Sequence, residues 1–382
     1  MRVLVANAGS SSLKLRVVDS EDSISAATDL SAPAGRFDEE ELQEWLSGTG
    51  PVDAVGHRVV HGGDRFHEPV TITEEVESAL ADLCALAPIH QPPALAAVAA
   101  VRRARPDLPA VACFDTAFHS TLPAGARTYA VPAEWRERWH VRRYGFHGLS
   151  HAWAARRAAQ LAGWGSRSEE PAARIATCHL GAGASLAAVV GGRCVDTTMG
   201  FTPLEGLVMA TRSGSVDPGL VLWLLEHARL STSDVGDGLE HGSGLLGLAG
   251  TADMREVVTR AAGGEAGARL AFDVYIRSLA AHVAGMATSL GGLDALVFTG
   301  GVGENAPEVR AAAAARLAWM GVEVDPVANQ LSPDVEVTGA GPVRVFVISA
   351  REDLEIAHAV RRVLVGRAYA NGELPPESGV GS

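Results

Sequence analysis

Short apolar runs followed by glycine-rich or polar turns recur at three places along the chain. The apolar runs cover residues 3–6, 174–178 and 295–298, and they lead into turns at residues 7–14, 179–186 and 299–305. Each run has the length and composition of a buried β-strand. Strands this apolar belong in a sheet that is covered on both faces, so helices are expected to pack around it.

The first two of these segments resemble each other beyond the turn. With a shift of one residue, the Ser-Leu pair at 12–13 falls on the Ser-Leu pair at 185–186, and the Val-Val pair at 17–18 falls near that at 189–190. Both turns are therefore predicted to be hairpins whose second strands continue through these residues. This is a weak internal repeat, and two related domains would produce it.

Helical patterns fill the intervals between the strands. Ser150 is predicted to cap a helix that runs to about residue 162, and Asp217-Pro218 to cap a helix over 220–228. A long apolar-periodic helix is predicted over 269–289, ended by Gly291-Gly292, and another over 351–365, after a strand at 344–348. Residues from 371 onward are rich in glycine and proline and are predicted to be disordered.

Length and charge limit the possible functions. At 382 residues the chain is too long for one ordinary core and fits two domains. Its net charge of -13 argues against nucleic acid or an anionic membrane as a partner, because either would repel it. Neither the 47% hydrophobic nor the 20% charged fraction is unusual for a globular protein.

The cellular location is predicted from the absence of three sequence patterns: a membrane span, a signal peptide and paired cysteines. No run approaches the roughly 18 apolar residues that span a bilayer, and a strand-like segment begins at Arg2 with no signal-peptide pattern before it. The four cysteines show no C-x-x-C spacing, which favours reduced thiols. A cytoplasmic protein is expected.

Phosphate binding is the first chemistry that the turns suggest. Glycine and small hydroxyl residues let backbone N–H groups approach phosphate oxygens closely. None of the three turns matches the P-loop, and any one of them alone is equally well explained as a tight connection. Lys14, which follows the first turn, is the only lysine among 32 basic residues. Three such turns and this lysine together favour a phosphate site.

Two arginines and two acids stand in unusual surroundings. Arg58 lies inside an apolar strand and Arg212 in a polar turn. A structural ion pair is the alternative for each, but together their forked donors could hold a doubly anionic ligand, as phosphoryl transfer requires. Asp115 ends the strand at 111–114, and Glu352 opens a helix, where the helix dipole alone would favour it.

Oxygen ligands at strand ends near phosphate-binding turns suit Mg²⁺. Five histidines lie near these segments: His90, His119, His147, His151 and His179. The pair at 147 and 151 could bind zinc from one helix, but no Glu or Cys completes a zinc set, and zinc is not favoured.

Six motifs now match a known family. They lie at residues 3–14, 56–63, 114–119 (FDTAFH), 143–148 (RYGFHG), 199–206 (MGFTPLEG) and 298–305 (FTGGVGEN). In this order, from residue 2 to about residue 360, the chain resembles the acetate and propionate kinases. The resemblance implies an α/β fold of two duplicated actin-like (ribonuclease H-like) ATPase domains with a nucleotide cleft between them. The first domain would comprise residues 1–117 plus 354–382, and the second, with the adenosine site, residues 118–353.

The resemblance also implies the activity. It is the reversible, ATP-dependent phosphorylation of acetate to acetyl phosphate by direct in-line transfer, with ATP/ADP and Mg²⁺ (or Mn²⁺) as cofactors. A homodimer and functional coupling to a phosphate acetyltransferase follow from the same resemblance. Propionate or butyrate kinase, a pyrophosphate-dependent relative, and an actin- or chaperone-like ATP switch are the alternatives.

The family's functional residues are carried over position by position. The catalytic set falls on Arg58, Asp115, His147, His179 and Arg212. The nucleotide and phosphate set falls on Asn7, Ser10, Ser12, Lys14, His179, Gly181, Gly183, Asp253, Arg255, Gly301, Gly303 and Asn305. The metal would be held by Asn7 and Glu352, and the substrate pocket by Val60, Ile89, His90, Phe146 and Pro203.

Two positions depart from the family pattern. Ala182 replaces an asparagine in the turn at 179–183, and Arg351 stands where many members have Asn or Asp. Both face the nucleotide side in the family, so they affect the expected nucleotide affinity more than the chemistry. Partial compensation of the missing amide by Arg351 is expected.

Overall fold

The computed structural model describes residues 1–9, 12–33, 36–85, 91–164 and 172–370. The chain divides into two compact units. The first comprises Met1–Phe118 and Arg351–Ser382, and the second His119–Ala350. The residues from 371 onward, predicted to be disordered, lie outside the described residues.

In its described residues, the first unit has a six-stranded sheet and four α-helices. Its strands are β1 (Val3–Ala8), β2 (Ser12–Val18), β3 (Ile24–Ser31), β4 (Ala54–Val59), β5 (Val70–Thr71) and β6 (Ala110–Phe114). Its helices are α1 (Glu39–Gly48), α2 (Glu74–Asp82), α3 (Gln91–Ala104) and, from the end of the chain, α14 (Glu352–Ala370).

The second unit repeats this plan with more helices. Its strands are β7 (Arg174–Leu180), β8 (Ala184–Val190), β9 (Arg193–Thr197), β10 (Ala295–Thr299), β11 (Val335–Glu336) and β12 (Arg344–Val347). Its helices are α4 (Ala124–Arg127), α5 (Ala133–Trp139), α6 (Gly148–Leu161), α7 (Pro218–Glu226), α8 (Thr232–Glu240), α9 (Gly244–Ala249), α10 (Met254–Ala262), α11 (Ala266–Leu290), α12 (Gly300–Asn305) and α13 (Pro307–Leu317).

The two sheets have the same strand order. It is β3-β2-β1-β4-β6-β5 in the first unit and β9-β8-β7-β10-β12-β11 in the second. In each, an antiparallel three-stranded meander continues into parallel strands: β1 pairs with β2 and β7 with β8 as hairpins, while β1–β4 and β7–β10 are parallel. The predicted hairpins and the internal repeat are thereby confirmed, since every strand has a counterpart in the other unit.

Helices cover the sheets, as the apolar strands require. In the first unit α3 and α14 pack against β1 and β4. The contact with α14 is close at Gly56, where a Cβ would lie 2.4 Å from Ile356 and 2.7 Å from Val360. In the second unit α11 packs on β7 and β8, and α6 on β7 and β10.

Most helix boundaries follow the sequence signals, and two predictions are wrong. Asp217 caps α7 with Pro218 in its first turn, and Gly291 ends α11 in a left-handed conformation, as predicted. Ser150, however, lies inside α6, which begins two residues earlier, after His147. The glycine-rich segment that follows β10, predicted to be a turn, forms the short helix α12.

Two surface properties bear on partners. In the part of the chain that the structure describes, no helix is both long and apolar enough to cross a membrane. Helix α7 is strongly apolar, yet it has no buried residue, and Leu222 and Trp223 are 58% and 51% exposed.

Candidate active site

An ion pair between Arg58 and Asp115 lies at one edge of the first sheet. Arg58 stands near the end of β4, and Asp115 directly follows the neighbouring parallel strand β6. The Arg58 guanidinium donates from Nε to Asp115 Oδ1 at 2.9 Å and from Nη2 to Oδ2 at 2.6 Å. The two side chains are 16% and 1% exposed. This forked geometry is the strong form of an arginine–carboxylate pair.

Asn7 and Glu352 complete the cluster. The third guanidinium nitrogen, Nη1, donates to Asn7 Oδ1 at 3.1 Å and lies 3.8 Å from Glu352 Oε2, which accepts from Asn7 Nδ2 at 2.9 Å. Burial acts to lower the pKa of Arg58, but the charges of Asp115 and Glu352 outweigh it and raise the pKa. Arg58 is therefore a cation whose charge is largely balanced within the first unit.

These residues also fit a divalent cation. Asp115 and Glu352 are hard oxygen donors, and Mg²⁺ is bound through one or two carboxylates, waters and substrate phosphates. The described residues hold no group of three or more His, Cys, Asp or Glu side chains arranged for a metal. A metal here would thus depend on phosphate oxygens and water to complete its coordination.

The other predicted phosphate residues of the first unit lie on the β1–β2 hairpin. Lys14 is exposed and is the direct cross-strand partner of Asn7, so the two side chains lie on the same face of the sheet. Ser12 begins β2, and its carbonyl accepts from the N–H of Gly9 at 2.8 Å. Val60 is buried in this unit. Ser10, Ile89 and His90 lie outside the described residues.

Histidines form the centre of the candidate site in the second unit. His147 precedes α6 in a left-handed conformation, and His151 lies one turn into the helix. The Ser185 hydroxyl lies 2.9 Å from His147 Nδ1 and 2.8 Å from His151 Nε2, and His151 Nδ1 lies 2.7 Å from Thr177 Oγ1. Burial and the nearby His119 and His179 keep the pKa of His151 well below its ordinary value, so His151 is neutral.

The donor of each hydrogen bond between His147 and Thr177 can be assigned by starting from Thr177. Thr177 donates to the Ala187 carbonyl at 3.3 Å, so it accepts from His151 Nδ1–H. His151 Nε2 then accepts from the Ser185 hydroxyl, whose oxygen accepts from His147 Nδ1–H. A hydroxyl has one proton to donate, which fixes the order. The tautomer of His147 is thus set by Ser185, which is itself oriented by His151 and Thr177.

His179 and His119 complete the histidine group. The ring of His179 lies 4.4 Å from that of His147, and its Nδ1 is 2.7 Å from the hydroxyl of Ser150. The Ser150 hydroxyl thus contacts His179 and does not cap the helix. His119 contacts Cys194 Sγ at 3.1 Å and the Phe146 carbonyl at 2.9 Å. Burial lowers the pKa of His119 to about 4, so it is neutral as well.

Arg212 faces the turn of the β7–β8 hairpin. Its Nη1 donates to the Pro203 carbonyl at 3.2 Å. A Cβ on Gly183 would lie 3.2 Å from His147 Nε2 and 3.3 Å from Arg212 Nη1. No carboxylate among the described residues forms an ion pair with Arg212, and burial lowers its pKa, with Glu240 acting weakly against this. Glycine at position 183 thus lets the His147 ring and the Arg212 guanidinium approach the hairpin turn closely.

A cavity of about 490 Å³ lies at the predicted adenosine residues of the second unit, and its lining includes Arg255 and Asn305. Asn305 and Gly301 are held together by a side-chain hydrogen bond of 2.9 Å within α12, where Gly303 is buried. Asp253 caps α10 and pairs with Arg255, whose hydrogen bond lowers the pKa of Asp253 to about 2.

The sequence analysis missed the residues that support this cavity. Arg310 is 1% exposed and donates to the carbonyls of Gly303 and Glu304 at 2.8 and 3.0 Å. It also donates to Asn329 Oδ1 at 2.7 Å. Ser185 and Thr177 were missed as well, because a small hydroxyl side chain in a strand gives no sign in the sequence of the partners that it contacts in the fold.

The two departures from the family pattern fall in different units. Ala182 lies in the β7–β8 turn, and its carbonyl accepts from the N–H of Ala210 at 3.2 Å. Arg351 belongs to the first unit and pairs with Asp353, with 2.9 Å from Nε to Oδ1. Compensation by Arg351 stays a prediction, and Asp353 would compete for its guanidinium.

Comparison with known proteins identifies the family. The family model described as the acetokinase family matches residues 36–358. The chain belongs to the acetokinase family. Among curated proteins, the acetate kinase of Nostoc punctiforme is 46% identical over 316 residues, which is 82% of this chain and 77% of that protein.

Solved structures of the acetokinase family agree with the fold. A propionate kinase from Francisella tularensis is 34% identical with a TM-score of 0.86, covering 94% of this chain and 98% of its own. The Porphyromonas gingivalis acetate kinase is 33% identical with a TM-score of 0.85, and the match covers 95% of this chain and 99% of that protein. The predicted fold class, an α/β protein of two duplicated actin-like domains, is confirmed.

Proposed function

We propose that this protein is an acetate kinase that transfers the terminal phosphoryl group of ATP to acetate and runs in both directions. The observation that carries the proposal is the grouping of Gly183, His147 and Arg212 at the β7–β8 turn. It combines a glycine without a side chain, an imidazole and a guanidinium that no carboxylate of the described residues neutralises. Family membership implies ATP or ADP and a divalent metal ion as cofactors.

The reaction needs charge neutralisation more than acid–base catalysis. Acetate is already an anion, so one carboxylate oxygen attacks the terminal phosphorus while the bond to the ADP oxygen breaks, and no proton is removed. Arg212 and His179 donate to the phosphoryl oxygens, where negative charge is spread in the transition state. Arg58, oriented by Asp115, donates hydrogen bonds to the substrates, and we assign no general base.

Contacts within each unit support these proposed roles. Ser185 accepts from His147 Nδ1–H, so His147 Nε2 would donate to an anion only when the ring carries a second proton. Ser150 contacts His179 Nδ1, so both rings present Nε2 away from their supports. Asp115 holds the guanidinium of Arg58 by two hydrogen bonds. Mg²⁺, with Mn²⁺ as the alternative, would be held by Asp115, Glu352 and Asn7, and it would neutralise phosphate charge.

The cavity beside Arg255 and Asn305 fits the adenosine of the nucleotide, with α12 and the buried Arg310 forming its wall. Pyrophosphate would leave it empty. We propose that Phe146 and Pro203 in the second unit and Val60 in the first select a short acyl chain.

A hydroxylamine trap for acyl phosphate tests the proposal. The protein is incubated with ATP or pyrophosphate, Mg²⁺ or Mn²⁺, and acetate, propionate or butyrate in turn. We expect the largest kcat/KM with ATP and acetate, and ATP formation from acetyl phosphate and ADP in reverse. A preference for propionate or butyrate, or for pyrophosphate, would replace the proposed substrate, and no acyl phosphate in any arm would refute a carboxylate kinase.

We further propose that the protein is a homodimer that buries the exposed apolar face of α7. Trp223→Asp or Leu222→Asp is expected to shift the mass measured by light scattering from dimer to monomer. Trp319→Asp is the matched control, since Trp319 is 76% exposed and does not lie on α7. A dimer that survives the α7 changes would place the interface elsewhere.

The product suggests the metabolic setting. Acetyl phosphate is the substrate of a phosphate acetyltransferase, so we propose functional coupling to that enzyme in the cytoplasm. Four free cysteines are consistent with a reducing compartment. A coupled assay in which a phosphate acetyltransferase consumes the product should pull the reaction toward acetyl phosphate; no increase in flux would argue against coupling.

A further inference from the structure

Three side chains of the second unit form a polar cluster at the segment of residues 199–206, which contains both Pro203 and Glu205. They are Tyr129, Arg143 and Glu205, and we call them the Glu205 cluster. Arg143 Nη2 donates to Glu205 Oε1 at 2.8 Å, and the Tyr129 hydroxyl donates to Oε2 of the same carboxylate. Both oxygens of Glu205 are therefore engaged.

The cluster also holds the backbone at the start of the segment. Arg143 Nη1 donates to the carbonyls of Thr198 and Met199 at 2.9 and 3.1 Å. The Tyr129 hydroxyl accepts from the N–H of Phe201 at 3.0 Å. Since Tyr129 donates to Glu205 and accepts from this N–H, its hydroxyl links the carboxylate to the backbone.

Gly200 shows how closely the segment fits the cluster. A Cβ at this position would lie 1.8 Å from Glu205 Oε2 and 2.0 Å from the Tyr129 hydroxyl. The Gly200 carbonyl accepts from the N–H of Tyr144 at 3.0 Å. Any side chain here would push the segment off the cluster, so the close approach requires glycine.

The same segment determines where Arg212 lies. The Pro203 carbonyl accepts from Arg212 Nη1 at 3.2 Å. Beyond Arg212, the backbone returns to the segment, because Ser215 N donates to the Gly206 carbonyl at 3.0 Å and Gly206 N donates to Ser215 Oγ at 3.1 Å. Arg212 is thus held to this segment through its side chain and through the chain that follows it.

We infer that Glu205 is a positioning residue for Arg212, acting through Tyr129, Arg143 and the segment 199–206. It does not touch the substrate. It fixes the segment so that the Pro203 carbonyl holds the guanidinium against the Gly183 turn. This inference rests on the proposed function, because the role of Arg212 in the reaction is proposed there.

The test compares Glu205→Gln with the unaltered protein. The change keeps the size of the side chain but removes the charge that orients Arg143. We expect kcat/KM for acetate to fall about ten- to a hundredfold, because a hydrogen-bonded charge is lost. The KM for ATP should stay within about twofold, since the cavity at Arg255 and Asn305 is built by other elements.

A second readout does not depend on activity. Phenylglyoxal modifies arginine, and the rate of modification of Arg212 can be followed by peptide mass spectrometry. Arg212 released from Pro203 should react severalfold faster in Glu205→Gln. If the unaltered protein forms no acyl phosphate, the proposed function fails, while the modification rate of Arg212 still decides the positioning role.

Glu336→Gln is the matched control. Glu336 accepts from Arg344 Nε and Nη2 at 2.9 and 2.5 Å and from Thr338 Oγ1 at 2.7 Å, so it is a similar carboxylate of the same unit. It should leave both readouts unchanged. If Glu205→Gln does not fold, Tyr129→Phe removes only the hydroxyl and should change both readouts in the same direction.

Equal modification rates of Arg212 in Glu205→Gln, Glu336→Gln and the unaltered protein would overturn the inference. So would a fall in kcat/KM for acetate without faster modification, because Glu205 would then act by another route. Faster modification of Arg212 together with a selective loss in kcat/KM for acetate would establish it.

Discussion

The two candidate arginines lie in opposite electrostatic environments. Arg58, in the first unit, is held by Asp115 in a forked ion pair, with Glu352 nearby, and its pKa is raised. Arg212, in the second unit, is partly buried, donates to a backbone carbonyl and has its pKa lowered by burial. One cation is neutralised before any ligand binds, and the other is not.

The difference indicates a division of work. A guanidinium already paired with a carboxylate gives a bound anion less net attraction, but its orientation is fixed. An unpaired guanidinium at a partly desolvated position attracts an anion strongly, because screening by water is reduced. We therefore propose that Arg58 serves as a rigid donor and Arg212 as the main source of positive charge.

Arg58→Ala should have the largest effect, because it damages both activity and folding. Turnover should fall at least about a hundredfold. Removing one partner of a buried pair leaves Asp115 uncompensated, so the free energy of unfolding should fall by about 3–5 kcal/mol. Turnover and Tm together check this, with Arg103→Ala, at an exposed ion pair with Glu39, as control. Near-normal turnover would make Arg58 purely structural.

Arg212→Ala should lower turnover as much while leaving Tm unchanged or slightly raised. In the proposed reaction the side chain contributes charge, at least about a hundredfold in turnover, but among the described residues it has no buried carboxylate partner to leave behind. Arg212→Lys should rescue poorly, because lysine lacks the fork. A large fall in Tm would show that Arg212 has a structural partner and would remove the contrast with Arg58.

Acidification should weaken the second unit more than the first. Burial lowers the pKa of His57 in the first unit and of His119 in the second to about 4, and His151 in the second is also strongly lowered. Between about pH 6.5 and pH 4 the unfolded chain binds protons that these folded histidines do not, so stability falls as pH falls.

Hydrogen exchange measured at about pH 7.5 and about pH 5.5, corrected for intrinsic rates, checks this prediction. Amides of β7 and β8 should lose more protection than those of β1 and β2. Greater loss in β1 and β2 would show that carboxylates, and not the buried histidines, dominate the response.

The smallest expected effect concerns acyl selectivity. Val60→Ala should improve propionate relative to acetate in kcat/KM by up to about tenfold, because one methylene contributes about 1–3 kcal/mol. Val59→Ala, at the neighbouring buried valine, is the matched control for loss of packing. An unchanged ratio in Val60→Ala would place acyl selection elsewhere, for example at Phe146 and Pro203.

The sequence predicted the strands and hairpins well, because their signals are local. The runs at 3–6 and 174–178 are apolar, and the turns after them contain the glycines that a hairpin needs. The cap Asp217-Pro218 and the stop at Gly291 succeeded for the same reason. Family motifs supplied the candidate site residues, whose roles stay predictions.

The failures share a physical cause, which is contact between residues far apart in sequence. Ser150 has the ordinary signature of a helix cap, but its hydroxyl contacts His179 and the helix starts before it. The Glu205 cluster joins residues 129, 143 and 205, and no local pattern connects them. A buried polar network becomes visible only when its partners are placed.

The first unit is built from both ends of the described chain, and this has a consequence for synthesis. Ile356 and Val360 of α14 fill the space above Gly56, and Glu352 bonds Asn7, yet a ribosome makes them only after the whole of the second unit. Domains generally fold as units, the N-terminal one first. Here the continuous second unit should fold first, because α14, which packs on β1 and β4, is synthesised last. Proteolysis of released chains that end at residue 350 and at residue 370 would test this, because β1 should be protected only in the chain that contains α14.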